Sequence, residues 1–198
     1  MNLPNKLTIF RIILVPIMVI IPFLGIPGDL LNIPIESLII IAIFGIASYT
    51  DHLDGKIARK NNLVTTFGKF LDPIADKLLV LAALIMLVEQ GIIPAWIPII
   101  ITAREFIVSG IRMLAAGEGN VIAASWLGKV KTVSQMVAIS LAFLSTNTFM
   151  QFIEGCLKGG NLVLNILMSL GMLISVGTTI YSGVDYFMKS KDIVLKTK

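Results

Sequence analysis

Six stretches of this chain are apolar for long enough to cross a lipid bilayer. They run roughly over 5–24, 34–60, 67–90, 94–116, 124–147 and 161–188, each near or above the about 20 residues that a spanning helix needs. Hydrocarbon offers no partner to a backbone N–H or C=O, so a segment of this length satisfies its own amides as a helix. Composition agrees: 14% of the residues are charged and the mean hydropathy is +0.91, whereas soluble domains carry roughly a quarter charged residues. The expected fold is an all-α integral membrane protein with six transmembrane helices, a single domain over 1–198. A soluble, very apolar bundle explains the run lengths poorly. Gly25-Ile26-Pro27-Gly28-Asp29, Gln90-Gly91 with Pro94, and Gly155 with Gly159-Gly160 punctuate three of the gaps. Lys6 precedes the first apolar run, but no small-residue cleavage site follows, so no removable signal peptide is expected. The single cysteine, Cys156, excludes an intrachain disulfide and reads as a small packing residue.

The positive charges give an orientation. With six spans, the two termini and the 2–3 and 4–5 loops share one side of the bilayer. Fifteen of the 16 Lys and Arg residues fall on that side, and only Lys158 falls on the other. The positive-inside rule then makes both termini cytoplasmic. Trp96 and Trp126 read as anchors at the outer and inner interfaces.

Against this background the stretch from Thr50 to Lys77 stands out. It carries Asp51, Asp54, Asp72 and Asp76 between two apolar runs. On helices, Asp51 and Asp54 are i, i+3 and Asp72 and Asp76 are i, i+4, so each pair shares a face. Four carboxylates crowded at a membrane edge repel one another unless cations neutralise them, and hard oxygen ligands suit Mg2+ or Mn2+. Two helices with two carboxylates each can hold two ions roughly 3.5–4 Å apart. A solvated, charged hairpin is the bland alternative; it accounts for the lysines but not for four acids along one seam. Asn61-Asn62 is a plausible end of the first helix, and Thr65 or Thr66 a cap for the next. Pro73 would start that helix or kink it beside Asp72. His52, the only histidine, points about 100° away from Asp51 on a helix. It could ligate a metal or move a proton, but an interfacial role without chemistry is the plainer reading.

Written as a pattern, the window is D-x2-D-G-x2-A-R-x8-G-x3-D-x3-D, with Asp51, Asp54, Gly55, Ala58, Arg59, Gly68, Asp72 and Asp76 at the specified positions. This resembles the signature of the CDP-alcohol phosphotransferase family at every position. His52 departs from it, because the family usually has a large apolar or aromatic residue there. The resemblance implies that Asp51, Asp54 and Asp72 chiefly hold metal, and that Asp76 touches metal and is the base for the acceptor hydroxyl. It places the nucleotide of the donor, CDP-diacylglycerol in most members, near Asp54, Gly55, Ala58, Arg59 and Gly68. Asn5 and Thr8 could reach that donor, or could merely satisfy amides at a helix start. The resemblance also implies a homodimer. No nucleic-acid partner is expected.

Further blocks extend the likeness over nearly the whole chain. These are Leu3-Pro4-Asn5-Lys6-Leu7-Thr8-Ile9-Phe10-Arg11, Ala103-Arg104-Glu105-Phe106, Ser109-Gly110-Ile111-Arg112 and Leu127-Gly128-Lys129-Val130-Lys131-Thr132. They resemble the branch of the family that uses sn-glycerol 3-phosphate as acceptor and releases CMP. A dianionic phosphate needs cations, and Arg104, Arg112 and Lys131 make a reasonable clamp. Arg104 could instead pair with Glu105 or Glu36, and Arg112 and Lys131 could simply obey the positive-inside bias. Charge alone does not exclude inositol phosphate as acceptor. A divalent-cation transporter is the rival of another class, and the spans lack the acidic midplane path that it would need. Tyr181 and Asp185 receive no role. The expected protein transfers a phosphatidyl group at the cytoplasmic face of the cell membrane, giving phosphatidylglycerol phosphate.

Overall fold

The computed structural model describes residues 2–30, 33–60, 66–117, 126–155 and 162–195; side chains are described for all of these except 3–4, 51–60, 66–70, 116–117 and 191–195. Of the described residues, 85% are helical. The six long helices are α1 (Leu3–Ile20), α2 (Ile35–Lys60), α3 (Thr66–Glu89), α4 (Trp96–Gly117), α5 (Trp126–Leu144) and α7 (Leu162–Leu195), with a single turn, α6 (Gln151–Glu154), before the last. They match the six apolar segments to within a few residues, except that α7 runs seven residues beyond the expected end at 188. Its polar tail stays helical because Lys, Asp and Leu continue the turn without a breaker, helped by the i, i+4 pair of Asp185 and Lys189 at 2.9 Å.

The helix ends follow local chemistry. Pro4 lies in the first turn of α1, where its missing N–H would have had no partner. Pro22 stops the α-helix at Ile20, a 3-10 turn covers Ile21–Leu24, and Gly25 closes it at φ +56°. A small antiparallel hairpin follows, β1 (Asp29–Leu30) with β2 (Ile33–Pro34), pairing Asp29 with Pro34 and Leu30 with Ile33. No alternation in the sequence announced so short a ladder. Pro73 lies inside α3 rather than at its start.

Burial on α1 shows how the bundle is built. Asn5, Thr8, Arg11, Val15 and Met18 form one buried stripe, and Phe10, Ile13, Ile17 and Ile20 form the exposed one. The buried stripe is polar at its amino-terminal end and apolar beyond. Helix α7 follows the same inverted pattern: Asn165, Ser169, Ser175, Thr179 and Ser182 face inward, while Leu167, Leu170, Ile174, Ile180 and Val184 face out. Contiguous apolar faces on this scale are covered by something other than water, and a lipid bilayer suits them.

Helix α1 packs mainly on α2 and α3, and α7 mainly on α4 and α5; the contacts that join these two groups, α2 with α5 and α3 with α4 and α5, are thinner. The core is continuous across them, with Met18, Phe44, Leu84, Ile97, Phe143 and Met168 from all six long helices. Small residues bring α5 and α7 close: a Cβ on Gly171 would sit 3.6 Å from the Ala138 backbone.

Among the described residues, three helices are long and apolar enough to cross a membrane: Asn5–Leu24, Trp126–Leu144 and Leu162–Ser190. Helices α3 and α4 have the length, but their apolar runs are broken by Asp72, Asp76 and Lys77 and by Arg104, Glu105 and Arg112. The residues that interrupt the spans are those that build the site.

Phe143 tests the packing argument, since it is 1% exposed in the core. Lipid is as apolar as the core, so truncation costs chiefly the packing it removes. At about 24 cal/mol per Å3 for a void of about 90 Å3, Phe143→Ala should lose about 2 kcal/mol of stability, read as a lowered unfolding midpoint in detergent.

Candidate functional site

Helix α3 lies at the thin seam between the two helix groups, and its two aspartates serve different sides of it. Asp72 faces α1, where its Oδ1 accepts a 2.5 Å hydrogen bond from the Thr8 hydroxyl. Asp76, one turn on, lines a cavity of about 690 Å3 between α3, α4 and α5. Lys77, Glu105, Ser109, Arg112, Lys131 and Gln135 also line it. Thr102 and Thr132 add hydroxyls, and most of the remaining wall is apolar, from residues such as Leu78, Leu81, Ile101, Phe106, Met113 and Met136.

A carboxylate organises the cations here. Glu105 Oε1 receives hydrogen bonds from Lys131 Nζ on α5 and, at 3.1 Å, from Arg104 Nη1 on its own helix. The Lys131 side chain is 5% exposed and that of Glu105 21%, so their charges share one partly buried network. Of the two ion-pair partners considered for Arg104, the structure selects Glu105. Arg104 is not part of the cavity wall. Its Nη2 donates to Ser182 Oγ on α7 at 3.0 Å, and a Cβ on Gly183 would come within 3.0 Å of its Cγ. Arg112, two turns further along α4, does line the cavity, and its Nε donates to Tyr186 Oη at 3.3 Å with the guanidinium 5.4 Å from the ring centre. Helix α7 thus orients both arginines through Ser182 and Tyr186. Lys77 Nζ donates to Ser109 Oγ and lies 5.7 Å from the Phe106 ring centre, which ties α3 to α4 across the cavity.

On the other side of α3, Asn5 and Thr8 are buried, only 8% and 1% exposed. Asn2, not either of these, is at the cap position of α1. Arg11, to which the sequence assigned no contact, is fully buried, and its Nε donates to Ala47 O on α2 at 3.3 Å. Thr50 Oγ1 donates to the same carbonyl at 2.7 Å. The polar end of α1 is therefore directed at the α2 segment that leads into Asp51. Asp51, Asp54, Gly55, Ala58 and Arg59 lie on α2 and Gly68 on α3, but their side chains, and that of His52, are outside the described residues, as are Asn61, Asn62 and Thr65 altogether. Among the described residues no cluster of three or more His, Cys, Asp or Glu forms a metal site.

Sequence reasoning brought Asp76, Arg112 and Lys131 to one site and the structure places them around one cavity. It passed over Ser182 and Tyr186, whose signal was their i, i+4 spacing on the buried stripe of α7. It also passed over Gln135, one turn after Lys131.

Fold and cavity together define a helical membrane protein whose charged pocket sits among its apolar helices. The chain belongs to the CDP-alcohol phosphatidyltransferase family, whose pattern matches residues 1–180. It is 46% identical to a Bacillus subtilis (strain 168) protein named CDP-diacylglycerol–glycerol-3-phosphate 3-phosphatidyltransferase, over 99% of this chain and 98% of that one. Proteins of the same name from Rickettsia bellii (39% identical, 96% of each chain) and Haemophilus influenzae (45% identical, 76% of this chain and 80% of that one) are also similar.

The network predicts an asymmetry. Glu105→Ala leaves Lys131 and Arg104 without their shared counter-charge and should cost about 3 kcal/mol, near the lower end for broken buried pairs. Lys131→Met on top of it removes one of those stranded cations and should recover part of the loss. Unfolding midpoints of the single and double variants in detergent check this.

Proposed function

We propose that this protein transfers the phosphatidyl group of CDP-diacylglycerol to sn-glycerol 3-phosphate, releasing CMP, as a phosphatidylglycerophosphate synthase. The observation that carries the reading is the meeting of Asp76 with Lys131 and Arg112 around one cavity, in a chain of this family. The cations suit the acceptor phosphate. Asp76 is then the base for the C1 hydroxyl. That oxygen bonds to the β-phosphorus bearing diacylglycerol, the bond from this phosphorus to the bridging oxygen breaks, and CMP leaves with the electron pair. Arg104 supports the clamp from outside the cavity wall, through Glu105. Apolar wall residues and the neighbouring lipid exclude water, which would otherwise compete as acceptor.

Asp51, Asp54, Asp72 and Asp76 would hold the metal, two ions of Mg2+ or Mn2+. The described half of this set fits in chemistry: Asp72 and Asp76 are hard oxygen donors one turn apart on α3, Asp72 beside the buried hydroxyl of Thr8 and Asp76 at the cavity. When bound, such ions neutralise the pyrophosphate and the departing phosphate. Asn5, Thr8, Gly55, Ala58, Arg59 and Gly68 would border the donor nucleotide, with Gly55 and Ala58 leaving room against the helix. The reading includes six spans with both termini and the site on the cytoplasmic side, supported by the six long helices and the one-sided distribution of Lys and Arg. A homodimer is proposed on family resemblance alone.

CMP release by the purified protein tests the reading. Glycerol 3-phosphate should support it, and inositol phosphate should not. Chelation with EDTA should stop release, and Mg2+ or Mn2+ should restore it. Asp76→Asn should lower kcat on the order of 10²–10⁴-fold while the unfolding midpoint stays near that of the parent.

A further inference from the structure

Gln135 is on α5, one turn beyond Lys131 and about 6 Å further along the helix axis. Its side chain lines the cavity, is 3% exposed, and its Nε2 has no hydrogen-bond partner among the described residues. A buried amide donor without an acceptor is costly, and an apolar residue would fill the same position without that cost. The orphaned donor therefore points to a ligand atom.

The chemistry of that atom is constrained. A neutral amide adds no charge to a phosphate site, and Lys131 and Arg112 already supply cations there. An amide can donate through Nε2 and accept through Oε1, which matches a hydroxyl. On the reading above, the acceptor phosphate lies at the cations and its attacking hydroxyl at Asp76. The one polar group of the acceptor left over is the secondary hydroxyl between them.

We propose that Gln135 is a specificity-determining residue that binds this middle hydroxyl, so that the acceptor class is a phosphorylated vicinal diol rather than any alcohol with a phosphate. This rests on the proposed transfer reaction and deepens it. The polar contact selects by exclusion: an acceptor lacking the hydroxyl enters the cavity but leaves the amide stranded.

The test compares two acceptors with the purified full chain and CDP-diacylglycerol: sn-glycerol 3-phosphate and 3-hydroxypropyl phosphate, which lacks only the middle hydroxyl. The parent should prefer the former in kcat/KM by on the order of tenfold. Gln135→Met, of similar length but without the amide, should lose about that factor on glycerol 3-phosphate and change less than about twofold on the analogue, which collapses the ratio. Lys131→Ala should weaken both acceptors alike, because both carry the phosphate. Equal losses on the two acceptors in Gln135→Met would overturn the assignment and make Gln135 a packing residue. If that variant does not fold, the parent decides alone: equal use of the two acceptors overturns the proposal and a tenfold preference upholds it. No CMP release from the parent with either acceptor is a different failure, that of the transfer reaction itself, and the assignment falls with it.

Discussion

A charge inside an apolar bundle persists only if another charge or a set of dipoles compensates it, and Glu105 is where this protein meets that condition. Its carboxylate joins Arg104 of α4 to Lys131 of α5. Ser182 and Tyr186 of α7 hold the guanidinium groups of Arg104 and Arg112. Without the carboxylate, two cations would lie together beside a cavity whose walls are largely hydrocarbon. With it, the cations are held in place and an anion arriving in the cavity meets donors already oriented, so little ordering remains to be done on binding.

The same constraint explains the uneven packing. Helices α1, α2 and α3 form one group and α4, α5 and α7 the other, and each is tightest where small or apolar residues meet. The seam between them is thin because its residues are long, charged and directed into a cavity. The main apolar core lies away from the charges, and only a small buried cluster, Val108, Ile111 and Tyr186, packs among them. The site thus sits at the least cohesive part of the molecule, where a substrate can enter without unpacking the core.

Much of this was legible before the structure. Run lengths located the six long helices, because hydrocarbon demands a fixed length and self-satisfied amides. Spacing alone put Asp72 and Asp76 on one turn of α3. Arg11 was legible only as one basic residue among fifteen on one side and as the end of an amino-terminal block: its neighbours in sequence are apolar, and nothing local says that it faces α2 and the Ala47 carbonyl. Arg104 was counted with the phosphate clamp, with Glu105 as an alternative partner; it bonds to Glu105 and Ser182 and leaves the cavity wall to Arg112 and Lys131. Tyr181 and Asp185 drew notice on α7 while Ser182 and Tyr186 make the contacts, since a helix that is apolar nearly all round does not declare which polar stripe is inside.

By itself the sequence determined the helices, their lengths and the spacing of acids and bases along each one. These depend on neighbours within a few residues and on the thickness of a bilayer. Only the tertiary structure decided which cation meets which carboxylate, that Asp72 is bonded to Thr8 while Asp76 opens on the cavity, and that Gln135 Nε2 has no partner among the described residues. Those outcomes depend on how each helix is rotated about its axis, and that rotation is set by packing between segments far apart in the chain.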